Sequence, residues 1–187
     1  MEVGIGIPDE DLSYRLDVFA PSVLDVVESA GGWLFDRRTA GWLVTVLLPA
    51  EEVDVLPLRI LGVDVLPLGS HPISWEQRPC PLELAMTAAV LGRDSRAIRD
   101  VFRALEDRRP EVIMWGGNWP DGLVTVNGEI RHELSGAARA FKYHALKAAS
   151  GKEPAPVGGV ESFRCGTIAS WSLLDQGVEP TLASSLT

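Results

Sequence analysis

The chain has 187 residues, a formal net charge of −9, a hydrophobic fraction of 46% and a charged fraction of 23%. That composition excludes wholesale disorder and leaves enough apolar material for a core without disulfides or metal. The acidic balance disfavours nucleic acid and anionic membrane as average partners, though a local basic patch remains compatible with it.

Cys80 and Cys165 are the only cysteines, and their separation offers neither a zinc spacing nor a disulfide framework. Reduced thiols in a cytoplasm are therefore expected. The start "MEVGIGIPDEDL" lacks a basic segment followed by an apolar run, so no signal peptide is expected there. The most apolar region, Trp42 to Leu68, is interrupted by Pro49, Glu51, Glu52, Asp54, Pro57 and Asp64, and no membrane span is expected.

In chain order, Val3 to Ile7 reads as a short strand. Pro21 and Ser22 suit the start of a helix, and Gly31 and Gly32 its stop. "WLFDRRTAGWLVTVLLP" then reads as a β-hairpin, with Trp33 and Trp42 across from one another and "DRRTAG" as its turn. Asp36, Arg37 and Arg38 in that turn could clamp a phosphate or carboxylate. The hexapeptide "VDVLPL" occurs twice, at Val53–Leu58 and Val63–Leu68, with "VTVLLP" as a looser copy upstream. Alternating valines place one sheet face, and each proline ends or edges a strand, so an antiparallel β-meander is expected.

"GSHPISWEQRPCP", Gly69 to Pro81, reads as a connection. "PLELAMTAAVLG" reads as a helix with Pro81 in its first turn and Gly92 at its stop. A second helix follows over "DSRAIRDVFRALEDRR", with Ile98, Val101, Phe102 and Leu105 on one face. "EVIMWGG" and "LVTVNG" read as a hairpin around "NWPDG". A long helix is expected from Glu129 to Ala149, with Ile130, Leu134, Ala137, Phe141 and Ala145 facing the core. On its opposite face His132, Arg139 and Tyr143 could meet an anion or a partner. A linker, "SGKEPAPVGG", leads to a tail that adds a strand or docks on the body.

One segment carries a sharper functional lead. In "TAAVLGRDSRAIRDVF" a small residue, Ala88, precedes the turn glycine Gly92 by four, and Ile98 and Val101 follow it by six and nine. That spacing resembles the helix-turn-helix motif of bacterial DNA-binding regulators over about twenty residues. Arg96, Arg99 and Arg103 fall in one sector of the second helix, where they could contact double-stranded DNA. Between Gly92 and Pro110 there are six arginines against four acids. Arginines on an outward face usually serve as a solvated surface, here paired with Asp100 or Glu106.

The six tryptophans suggest a second lead, because Trp115 and Trp119 flank "GGN" and could anchor a protein partner or self-association. A third is a pocket between lobes near His71, Trp75 and Cys80. No dinucleotide loop, phosphate loop, nucleophile elbow or metal-ligand spacing is complete, so no cofactor and no metal are expected, and no catalytic residue can be named.

Taken together, the pattern predicts an α+β protein: an N-terminal helix with a short antiparallel meander, then a helix-turn-helix-like helical lobe with a hairpin and a long helix. The expected divisions are a mixed lobe over 1–70, a helical lobe over 78–150, and a linker and tail over 151–187, or one compact domain. The predicted role is a non-enzymatic cytoplasmic regulatory or interaction protein. The alternative is an enzyme or small-molecule-binding protein with its site between the lobes.

Overall fold

The computed structural model describes residues 14–68, 83–90, 111–117 and 123–168. Within them seven strands form one sheet: β1 (Arg15–Phe19), β2 (Leu43–Leu48), β3 (Asp64–Pro67), β4 (Glu83–Thr87), β5 (Glu111–Trp115), β6 (Leu123–Glu133) and β7 (Val160–Ile168). Three helices accompany it: α1 (Val23–Thr39), α2 (Leu56–Ile60) and α3 (Gly136–Ser150). The order across the sheet is β3-β2-β1-β4-β5-β7-β6. The first five strands in that order are parallel, and β7 runs antiparallel to both β5 and β6. The expected α+β arrangement of meander and helical lobe is thus replaced by an α/β sheet that draws strands from both halves of the chain.

The inner parallel strands β2, β1, β4 and β5 are buried on both faces, whereas the edge strand β3 is largely exposed. Leu16, Val18, Val44, Val46, Ala85 and Ile113 face α1 and α3, while Phe19, Leu47, Leu84, Met86, Val112 and Met114 are buried on the other face. A strand covered on both sides reads as a continuous apolar run without a clean period of two. "LELAM" therefore looked like a helix, although Glu83–Thr87 is a central parallel strand. This removes the first helix of the helix-turn-helix pattern. Arg96, Arg99 and Arg103 lie outside the described residues, as do His71, Trp75, Cys80, Trp119, the Val3–Ile7 strand and most of the tail.

Ser22 does cap α1: its hydroxyl accepts the Asp25 N–H at 3.2 Å. The helix does not stop at Gly31–Gly32 but continues to Thr39, so the predicted hairpin is the second half of a helix followed by β2. The glycines are there for close approach. A Cβ at Gly32 would lie 2.5 Å from Leu134 Cδ1, and one at Gly31 3.3 Å from Leu61 Cδ1. The actual stop is the Ala40–Gly41 turn, where Gly41 has φ +92°.

The two "VDVLPL" copies adopt different structures. In the first, Val53–Val55 are irregular and Leu56, Pro57 and Leu58 open α2, with Leu58 fully buried. In the second, Asp64–Pro67 form the edge strand β3 beside β2. Both settings suit a proline, whose missing N–H is unneeded in a helix's first turn and tolerated on a sheet edge.

Over the predicted long helix, residues up to Glu133 belong to β6, and only Gly136–Ser150 is helical. Strands β5 and β6 are both present but do not form a hairpin, because β7 lies between them. His132 is consequently a strand residue and shares no helix face with Arg139 and Tyr143. On α3 the buried side chains are Ala138, Lys142 and Ala145, whereas Phe141 is 44% exposed and stacks on Phe35. Among the described residues no helix is long and apolar enough to cross a membrane.

Candidate functional site at the carboxyl edge of the parallel strands

In an open α/β sheet the crevice beyond the strand carboxyl ends opens where the strand order reverses. Here the reversal falls between β1, followed on one side by β2 and β3, and β4, followed on the other by β5. The edge is therefore formed by Ala20–Ser22 after β1, Thr87–Ala88 after β4 and Trp115–Gly117 after β5.

The end of β5 bends sharply across β4. The Ala88 N–H donates to the Trp115 carbonyl at 3.0 Å, and Gly116 and Gly117 follow with φ +66° and +69°. A Cβ at Gly117 would lie 3.0 Å from that of Ala88. Only glycine combines this backbone with this proximity.

Trp115 is 5% exposed, and its indole N–H donates to Asp25 Oδ2 at 3.0 Å. Asp25 stands in the first turn of α1, so one bond joins the element after β1 to the end of β5. Burial pushes its carboxyl above the ordinary value of 3.8, partly opposed by the indole N–H. Its second oxygen has no hydrogen bond among the described residues. Beside it, the Val23 N–H donates to Glu52 Oε2 at 3.3 Å. The Trp115 ring meets Phe163 edge-on at 6.4 Å, and Phe163 packs against Trp33 at 4.9 Å. A cavity of about 290 Å³ opens past this aromatic wall, lined by Met114, Trp115, Gly116, Gly117 and Phe163 together with the polar Glu129, Ser162 and Arg164.

Deeper along α1 the polar groups serve the architecture. The Glu161 carboxylate accepts the N–H groups of Gly32 at 3.0 Å and Trp33 at 2.7 Å, and pairs with Lys142 Nζ at 2.6 Å. Lys142 also donates to the Glu28 carbonyl at 2.6 Å. Arg37 lies over the Trp42 ring at 4.2 Å and the Trp33 ring at 5.5 Å, and pairs with Glu83 at 3.2 Å. Burial raises the Glu83 carboxyl; Arg37 opposes this and Glu111 adds to it. Arg38 donates to the Gly62 carbonyl at 2.9 Å. Asp36 holds His132 Nε2 at 2.8 Å and the Ser135 N–H at 3.2 Å. Burial pushes Asp36 upward, but its hydrogen bonds from Ser135 and His132 together outweigh that and hold it below 3.8. Asp36, Arg37 and Arg38 are thus each engaged within the fold, not gathered as a clamp in a hairpin turn.

Of the residues singled out from the sequence, Trp115 belongs to this edge, as an anchored wall rather than an exposed partner anchor. Asp25 was missed. Its only sequence signal was its position three residues after a capping serine, which hundreds of helices share. Arg164 and Glu129 were missed because sheet pairing, invisible in the sequence, brings them together. Cys165 is buried, and its thiol donates to the Glu111 carboxylate. Among the described residues no three His, Cys, Asp or Glu side chains cluster as a metal site.

No known protein family and no curated protein matches the chain by sequence. Solved structures do match its architecture. A deacetylase of the teicoplanin biosynthesis pathway, crystallised with teicoplanin, superposes with a TM-score of 0.60 at 14% identity, covering 83% of this chain and 98% of its own. The A40926 pseudoaglycone deacetylase gives 0.59 at 14% identity over 83% and 98%. The 4-carboxy-2-hydroxymuconate hydratase from Pseudomonas putida KT2440 gives 0.51 at 13% identity over 93% and 100%. At this identity the likeness establishes the fold alone. That fold corrects the regulatory, helix-turn-helix expectation: Glu83–Thr87, read as its first helix, is a central strand of an α/β sheet shared with these deacetylase and hydratase structures.

Proposed function

We propose that the chain is an enzyme acting on a small molecule at the carboxyl edge of its parallel strands, with Asp25 carrying the proton of a reaction in which water is a reactant. The single observation behind this reading is the half-buried Asp25 carboxylate, fixed through one oxygen by Trp115 and open at the other, at the switch point of the sheet. Perturbed carboxyl groups in such crevices are characteristic of acid–base chemistry.

The neighbours' named activities support the same class. A deacetylase splits an acyl group from its carrier with water, and a hydratase adds water across a double bond. Either reaction needs a base to take a proton from water and an acid to deliver one to the leaving atom or neighbouring carbon. Burial brings the Asp25 carboxyl closer to the range where one group performs both tasks. The indole N–H holds the carboxylate in place while its other oxygen exchanges the proton.

One related deacetylase structure is a zinc-inhibited form. Zinc takes three or more N, O or S ligands, and the described residues at this edge supply the Asp25 carboxylate without a neighbouring imidazole or thiolate. That donor set does not fit zinc.

The decisive experiment incubates wild type and Asp25→Asn with N-acetylated amino sugars and amino acids, assaying released acetate, and with unsaturated carboxylates, following loss of the double-bond absorbance. Turnover of one class is expected, falling by about 10²–10⁴-fold in the variant. Absence of turnover by wild type, or full activity in the variant, overturns the proposal.

A further inference from the structure

The cavity beside Trp115 has a polar rim that the proton chemistry does not use. Register places Glu129 on β6 directly opposite Arg164 on β7, and Arg164 directly opposite Met114 on β5. The three side chains therefore stand in a row on one sheet face, about 4.8 Å apart from strand to strand. Arg164, Glu129 and Ser162 are exposed, and their side chains carry no hydrogen bond or ion pair among the described residues. Every other arginine singled out above along α1 is engaged: Arg37 with Glu83 and two indole rings, Arg38 with a backbone carbonyl. A guanidinium that lines a cavity with no side-chain partner among the described residues, with a carboxylate on one side and an apolar wall on the other, is a set of contacts complementary to a ligand.

We propose that this cavity binds a small carboxylic acid bearing a hydrogen-bond donor on the adjacent carbon, the class of α-amino acids, α-hydroxy acids and their N-acyl derivatives. Arg164 takes the carboxylate through paired N–H groups, the geometry for which a guanidinium is suited. Glu129, one strand over, accepts the ammonium, amide N–H or hydroxyl. The apolar part of the ligand extends the other way, over Met114 and the Trp115–Gly116–Gly117 turn, where the two glycines leave the floor free of side chains. A volume of about 290 Å³ suits a ligand of amino-acid size. The Glu129 charge next to Arg164 argues against a phosphate dianion, which it would repel more strongly than a monoanion.

This substrate class rests on the proposed use of the carboxyl edge, yet binding can be measured without turnover. Leucine, N-acetylleucine, leucinamide, isovalerate and inorganic phosphate are titrated against the full chain by calorimetry. Leucine or N-acetylleucine is expected to bind, isovalerate several-fold more weakly for want of the donor, and leucinamide and phosphate not measurably up to about 10 mM. Arg164→Ala should weaken binding about tenfold or more, with Arg164→Lys recovering part of it, and Glu129→Ala, which removes the acceptor, should erase the advantage over isovalerate. Arg164 is exposed, so unchanged thermal melts of these variants separate lost contacts from lost fold. Binding of leucinamide as tight as leucine, an Arg164→Ala variant with wild-type affinity, or no binding of any carboxylate overturns the proposal. Carboxylate binding that depends on Arg164 without any turnover overturns the enzymatic reading and leaves this one standing. Turnover that depends on Asp25 with affinity indifferent to Arg164 does the reverse.

Discussion

Two carboxylates, one packed against α1 and one carried on it, do opposite things. Glu161 reaches the middle of α1 from β7, is 5% exposed, and has its charge met by Lys142 and two backbone N–H groups. Asp25 sits in the first turn of α1, is half-buried, and is held at one oxygen by Trp115. The first is saturated and can only hold elements together. The second keeps an open oxygen and a raised affinity for protons, which is what chemistry requires. The contrast shows that burial alone does not mark a working group; unfilled hydrogen-bonding capacity at the switch point of the sheet does.

Breaking the saturated end should have the largest effect. Glu161→Ala strands the Lys142 ammonium and two mid-helix N–H groups, and should destabilise the fold by about 3–5 kcal/mol, read from urea unfolding. Lys142→Met together with Glu161→Met should recover only part of that, because Gly32 and Trp33 still lack an acceptor. Full recovery would mean that the helix backbone does not depend on the carboxylate. Next comes the glycine that lets β7 and Leu134 approach. Gly32→Ala puts a methyl 2.5 Å from Leu134 Cδ1, and overpacking of this kind costs about 1–3 kcal/mol. Leu134→Ala in the same chain should relieve the clash, so the two substitutions should be non-additive.

The open end should behave differently. Asp25→Asn keeps an acceptor for the Trp115 indole, so its stability should change by less than about 1 kcal/mol while activity collapses. A variant that loses both in parallel would place Asp25 with Glu161 as structural.

The smallest effects lie in pH dependence, where two acids on α1 carry opposite signs. The raised folded value of Asp25 means that its contribution to stability is complete below 3.8 and is lost as pH rises through that raised value. Asp36, lowered by Ser135 and His132, contributes above 3.8, and that contribution is lost as pH falls through its lowered value. Urea midpoints across acid pH should therefore flatten just above 3.8 in Asp25→Asn and below 3.8 in Asp36→Asn. For the partly exposed Asp36 the change should stay within about 1 kcal/mol. If both variants flatten the same limb, the environments assigned to these acids are wrong.

Much that is local was legible in the residues themselves. Ser22 after Pro21 announced a capped helix, and Val44–Leu48, Glu111–Trp115 and Leu123–Val126 announced strands, because side-chain volume and capping chemistry act within a few positions. Partners and faces were not legible. "VDVLPL" starts a helix at Leu56 and forms an edge strand at Asp64, and no property of six identical residues chooses between them. "LELAM" has helical propensity and becomes a central strand because parallel neighbours on both sides satisfy its backbone and both of its faces are buried. Gly31 and Gly32 resemble a helix stop until Leu61 and Leu134, both distant along the chain, occupy the space they leave. The candidate site follows the same rule. Asp25 and Trp115 are 90 positions apart, and Glu129 and Arg164 meet only through β6–β7 register. Propensity decays over one or two turns of chain, whereas strand order and burial are set by contacts between distant segments, so the helix starts and strand segments were written locally and the sheet, its crevice and its chemistry were not.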